Sequence, residues 1–306
     1  FSLKSIISFI QDNGSFERGF DLETRNSNKF GFTIKGANSS KLTYMETTSS
    51  FDPNKWYHIA GVYDGDTMKI YVNGVLENTS NSQSGKIDYE DSWLSIGSYK
   101  DDNEDYSVDG VIDEIRIWNT ARSQEDIRAY MCQKLQGTES GLVTYYNFNT
   151  GEDTIITDLA MAGNHAQFAN GLSNAAWVYS GAALGDTSIY TYDMSSASLN
   201  LASAAHGSVT LDSVTGGAEG VHLYFVDTLP NFTKGINDLG DQEVYFGSFV
   251  AEGSSPSKHN LTYDYNNYSN AVSNENFLNL YNRLNASVKT WINTGAVRNP
   301  ASNSID

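Results

Sequence analysis

The stretch FDPNKWYHIAGVYDGDTMKIYVNGVLE (51–77) alternates apolar and polar residues and carries two turn signals. Asn73-Gly74 between MKIYV and VLE is the favoured two-residue hairpin turn, because both of its positions need positive φ. Asp64-Gly65-Asp66 separates KWYHIAGVY from the strand that restarts at Met68. The spacing predicts a meander of three antiparallel strands, and with it an all-β protein.

Working outward, WLSIGSY (93–99) and GVIDEIRIW (110–118) read as strands around the acidic loop KDDNEDYSVD. In the second of these, parity places Val111, Asp113, Ile115 and Ile117 on one face. Asp113 and Glu114 then point to opposite faces and cannot act as a catalytic pair. One helix comes next. Ser123 and Asp126 make a capping-box start, and Ile127, Met131 and Leu135 repeat at helical spacing for about three turns. GLVTYYNFN (141–149) is a further strand, and DLAMAGNHAQFAN is a loop around Gly163-Asn164.

After the small-residue run SGAALGDTS (180–188), the segments SIYTYD, SLNLAS, SVTLDSV, GVHLYFVD, QEVYFGSFV and HNLTYDY recur at about ten-residue spacing. That spacing is the pattern of a sandwich. NENFLNLYNRLNASVKTW fits both helical and strand periods, and its Asn content and all-β surroundings favour strands. The tract YDYNNYSN (263–270) is a candidate contact surface or a polar edge loop.

Composition bounds the function. The 306 residues hold 37 acidic and 19 basic side chains, a net charge of −18, which repels a phosphate backbone and argues against nucleic acid. No run of eighteen apolar residues offers a membrane span. The single cysteine, Cys132, excludes an intrachain disulfide and a multi-cysteine metal site, and its helical setting suits a small buried hydrophobe. No G-x-S-x-G and no E-x-D-x-x-E occurs, and the five histidines are scattered, so no catalytic residue is assigned.

Residues 51–148, with the ordered series FDPNKWYHIAGVYDGDTMKIYVNGVLE, LSIGS and GVIDEIRIWNTARSQEDI, resemble the laminin-G-like and pentraxin group of concanavalin A-like jelly rolls. The continuation to GAALGD (181–186) is similar to the tails of such domains in Bacteroidetes surface proteins. The resemblance implies a jelly-roll sandwich over 1–186 and a second, smaller β-sandwich over 187–306. FSLKSIISFIQDNG resembles the segment just after the first strands of the family, so those strands are expected ahead of Phe1.

The resemblance also implies sites. Pentraxin calcium ligands carry over to Asp12 and Asn13 and to Asp101 and Asp102, with a solvated acidic turn as the alternative for the loop. Asp113 is either a structural calcium ligand or a core carboxylate accepting backbone hydrogen bonds. Calcium is the expected cofactor. Tyr99, Tyr106 and the loop 164–174 are candidate sugar contacts. The implied role is a non-catalytic, secreted or surface-exposed adhesin for glycan or protein ligands, exported by type IX secretion with outer-membrane secretion components as partners. The alternatives are an accessory region of an exported enzyme and a structural subunit of a secretion or gliding assembly.

Overall fold

The computed structural model describes residues 3–12, 17–89, 93–100, 104–151, 154–169, 177–237, 244–266 and 279–305. The chain forms two compact units, one of residues 1–127 and 136–178, the other of 128–135 and 179–306.

In the first unit, strands β1 (Lys4–Asp12), β2 (Glu17–Arg25), β3 (Lys29–Ile34) and β4 (Thr43–Glu46) form an antiparallel meander. Next come β5 (Ile59–Tyr63), β6 (Met68–Val72) and β7 (Val75–Ser80), the expected three-stranded meander. Asn73 and Gly74 take φ of 51° and 73°, the left-handed pair the hairpin requires. The segment 93–100 is not one strand. Gly97, at φ 80°, breaks it into β8 (Ser95–Ile96) and β9 (Ser98–Lys100). With β10 (Asp105–Ser107) these complete a seven-stranded sheet, β4-β3-β2-β1-β10-β9 with β8 beside β1.

Strand β11 (Ile115–Trp118) pairs with β12 (Leu142–Tyr146) as a separate two-stranded sheet. The core lies between layers. Phe30, Phe32, Ile34 and Met45 of the large sheet pack on Met68, Ile70 and Val72 of β6, and Ile7 packs with Ile115, Tyr146 and Ile156. Short strands β13 (Ile155–Ile156) and β14 (Ala166–Gln167) close the unit.

Helix α1 (Gln124–Met131) starts with the expected capping box. The Asp126 amide donates to Ser123 Oγ at 3.0 Å, and the Ser123 amide donates to Asp126 Oδ2 at 3.2 Å. It is a turn shorter than its apolar period implies. Beyond Met131 the Cys132 carbonyl accepts from the Gly185 amide and the Lys134 amide donates to the Gly185 carbonyl, which draws this backbone into a strand-like bridge. Leu135 is nonetheless buried, as is Cys132.

In the second unit, β15 (Thr187–Thr191) and β16 (Leu199–Ser203) flank β17 (Gly207–Val226), which pairs along its length with β18 (Tyr245–Asp264). Four of the expected short strands are therefore two strands of 20 residues each. Register shifts cluster between 212 and 220, where Gly216 and Gly217 face the Gly253–Ser257 stretch and Gly220 pairs with Ala251. The two halves of β17 share one core, Val209 and Leu211 packing with Val221, Leu223 and Phe225. One hairpin bent at its glycine-rich middle thus supplies what separate strands were expected to build. Strands β19 (Tyr281–Asn282) and β20 (Ile292–Asn293) pair, and β21 (Arg298–Asn299) joins β22 (Ser304–Ile305), which adds to β18. No helix forms among the described residues 279–292.

Candidate functional site

Two cross-strand rows define the outward face of the large sheet. Register places Ser8, Asp21, Thr33 and Tyr44 opposite one another, and Ser5, Glu23, Gly31 and Glu46 in the next row. Phe20, Leu22, Phe30 and Phe32 take the other parity and face the core. Despite facing away from it, Asp21 and Glu23 are 3% and 2% exposed. Ser5 Oγ donates to Asp21 Oδ2 at 2.5 Å, and Thr33 Oγ1 donates to Glu23 Oε1 at 2.8 Å. Burial and the neighbouring Glu23 charge push the Asp21 carboxyl well above the usual range. Burial also raises Glu23, against the pull of Arg25.

Arg25 connects this buried pair to the surface. Its Nε lies 3.4 Å from Glu23 Oε1 and 3.5 Å from Glu46 Oε1, and its guanidinium sits 5.1 Å from the centre of the Tyr44 ring. Glu46 and Tyr44 are nearly half exposed. They line a shallow groove of about 490 Å3 with Lys29, Thr48, Asn78 and Ser80, between edge strands β4 and β7. Asn78 Nδ2 donates to the Glu46 carbonyl at 2.7 Å, and Glu77 accepts from the Thr48 hydroxyl and the Ser49 amide, each at 3.0 Å. An aromatic face, a carboxylate, an amide and several hydroxyls in an open groove suit a polyhydroxylated ligand. The buried pair does not suit acid–base chemistry on such a ligand, because neither carboxyl reaches the groove surface.

Asp113 lies outside any strand, since β11 begins only at Ile115. Glu114 takes φ 57°, which breaks the alternation on which the parity reading rested, and Val111 is half exposed. Asp113 is half-buried, and its Oδ1 accepts from the Glu114 amide at 2.9 Å. Glu114 is the networked carboxylate: Tyr145 OH donates to it at 2.9 and 3.1 Å, and Arg116 Nη2 at 2.7 Å. Asn13, Asp101 and Asp102 lie outside the described residues, as does the side chain of Asp12. Among the described residues no three His, Cys, Asp or Glu side chains converge as a metal site.

Of the candidate sugar contacts, Tyr99 is buried with Ile10 and Leu42, and Tyr106 stands at the rim with its ring 5.9 Å from Tyr99. The Asn164 carbonyl accepts from Tyr146 OH, and residues 170–174 lie outside the described set. In the tract 263–270, Tyr263 donates to the His206 carbonyl at 2.8 Å and Tyr265 is buried, while 267–270 lie outside the described residues. Sequence reasoning missed the Asp21–Glu23 pair and Tyr44. The signal was the alternation Asp21-Leu22-Glu23 within GFDLETR, two acids on one face of a strand.

The fold is an all-β sandwich with an open groove at one edge. Residues 3–128 match the family model of the concanavalin A-like lectin/glucanases superfamily, laminin-G type. Over those residues the chain is similar to the laminin-G-like domains of that superfamily. Among curated relatives, it is 30% identical over 103 residues to mouse Pappalysin-1 and 31% identical over 107 residues to the human protein. The matches cover 32% and 34% of this chain and only 6% of each relative. Among solved structures it is similar to a candidate carbohydrate-binding protein from Bacteroides ovatus, at 21% identity and a TM-score of 0.45, over 56% of this chain and 48% of that one. No helix among the described residues is long and apolar enough to cross a membrane.

Proposed function

We propose that this chain is a non-catalytic glycan-binding region of a secreted or cell-surface protein, and that the β4–β7 groove is its binding site. The observation that carries the reading is the groove's make-up: an exposed Tyr44 ring backed by Arg25, beside Glu46, Asn78, Thr48 and Ser80. Tyr44 stacks on a sugar ring, and the amide, carboxylate and hydroxyls take its hydroxyl groups. The superfamily match supports the class of ligand. The role is adhesion, with export by type IX secretion as the route that the resemblance to Bacteroidetes surface proteins suggests.

Calcium belongs to this proposal through Asp12, Asn13, Asp101, Asp102 and Asp113, and it rests on the pentraxin resemblance. An unchanged melting temperature between calcium and excess chelator removes it. A second reading is an accessory region of an exported enzyme, which rests on the family resemblance alone.

A glycan array with the wild-type chain and Tyr44→Ala tests the main reading. Binding by the wild type that falls tenfold or more in the variant, at unchanged melting temperature, supports it. Binding unaffected by Tyr44→Ala, or no binding to any glycan, overturns it.

A further inference from the structure

The Asp21–Glu23 pair poses a problem of charge. The two carboxyl groups stand two residues apart on one face of β2 and are sealed from solvent. Two carboxylates buried on one strand face repel each other, and the repulsion is relieved by a proton on one of them. Every neighbouring element contributes to deciding which. From β1, Ser5 donates to Asp21 Oδ2, and Ser8 lies opposite Asp21. From β3, Thr33 donates to Glu23, and Gly31 adds no side chain. From β4, Glu46 adds a negative charge and Tyr44 a neutral ring. On β2 itself, the Arg25 cation stands against Glu23.

Glu23 therefore has a cation and a hydroxyl donor, whereas Asp21 has one hydroxyl on Oδ2. Its other oxygen, Oδ1, is buried, and no donor reaches it. An orphaned carboxylate oxygen at that depth is costly, but a protonated one facing an ionised acceptor is satisfied.

We infer that Asp21 carries a proton on Oδ1 at neutral pH and donates it to ionised Glu23, so that the pair is a proton-loaded latch holding Arg25 beneath Tyr44 and Glu46. Removing the proton leaves two buried anions competing for one guanidinium. Arg25 is then drawn toward Asp21, and its contacts with Glu46 and Tyr44 loosen. Proton counting gives the direction of the pH dependence. A carboxyl whose folded-state pKa lies above its unfolded value of about 3.8 holds a proton that the unfolded chain has released. Stability from the latch is thus full in acid and is lost as pH rises through the folded-state pKa.

The proton does not depend on the glycan-binding reading, but its consequence for the groove does, and two measurements separate them. Infrared spectra of the whole chain should show the carbonyl stretch of a buried protonated carboxylic acid at neutral pH, bleaching as pH rises and absent in Asp21→Asn. The asparagine amide donates to Glu23 in the proton's place, so the variant's melting temperature should lack the decline with rising pH that the latch gives the wild type. A wild-type spectrum without the band overturns the inference, and it decides alone should Asp21→Asn fail to fold. The same holds if the band survives in the variant, or if the band is absent and the melting temperature instead rises with calcium or sodium, which would place a cation between the carboxylates. Glycan affinity, where found, should fall at alkaline pH in the wild type and hold in Asp21→Asn. A protein that shows the band and binds no glycan keeps the latch and loses the groove reading.

Discussion

The Cβ that Gly31 lacks would stand 2.9 Å from Cγ and Oε1 of Glu23 and 3.0 Å from Cγ of Arg25. Gly31 thus leaves the space across which Arg25 reaches from Glu23 to Glu46. Because both side chains are pinned by their partners, Gly31→Ala should destabilise the first unit by about 1–3 kcal/mol. Chemical denaturation measures this, and a loss under a few tenths would show that Arg25 and Glu23 yield freely.

Asp158 organises the loop after β12. Its Oδ1 accepts from the amides of Tyr145 at 2.8 Å and Ala160 at 2.9 Å, and its Oδ2 from the amide of Asn164 at 2.9 Å. Truncation leaves three amides without acceptors, so Asp158→Ala should cost about 3–5 kcal/mol. Asp158→Asn keeps one acceptor oxygen and should lose about half as much. Urea melts of both variants check the order.

His222 is fully buried in the second unit, stacked on Tyr190 and edge-on to Tyr192 and Phe249, with Nε2 3.0 Å from Tyr192 OH. Burial and the nearby Arg128 charge lower its pKa to about 3. A histidine depressed in the folded state is neutral there while the unfolded chain takes up a proton. Its contribution is complete above about pH 6.5 and declines by up to about 1.4 kcal/mol per pH unit as pH falls toward 3. His222→Gln should therefore flatten the acid limb of the stability profile. Parallel wild-type and variant profiles between pH 7 and 4 would contradict this.

At the start of α1, Ser123→Ala removes the oxygen that accepts from the Asp126 amide. The expected loss is about 1 kcal/mol. Asp126→Asn should lose less, since its amide oxygen still accepts from the Ser123 amide. Thermal unfolding of the pair tests the ranking.

Local chemistry made several of these elements legible from residues alone. Asn73-Gly74 specifies a hairpin because its backbone preference is intrinsic, and Ser123 with Asp126 specifies a helix start because the partners are three residues apart. The inward row of β6 was likewise readable from period-two alternation. Asp113 shows where that reasoning stops. Its parity argument assumed unbroken strand through Glu114, and a single left-handed residue transferred the networked role to Glu114, through Tyr145 from another part of the chain.

By itself the sequence determined an all-β chain, the turns that punctuate it and the superfamily of its first part, because these depend on preferences spanning a few residues. Only the tertiary structure decided that Asp21 and Glu23 are buried, since Ser5, Thr33 and Glu46 reach them from strands 10 to 23 positions away. It also decided that β17 and β18 run as single bent strands, because their continuity depends on pairing across the glycine-rich middle. Charge burial and strand continuity are properties of cross-strand neighbours, and the linear order of residues does not name those neighbours.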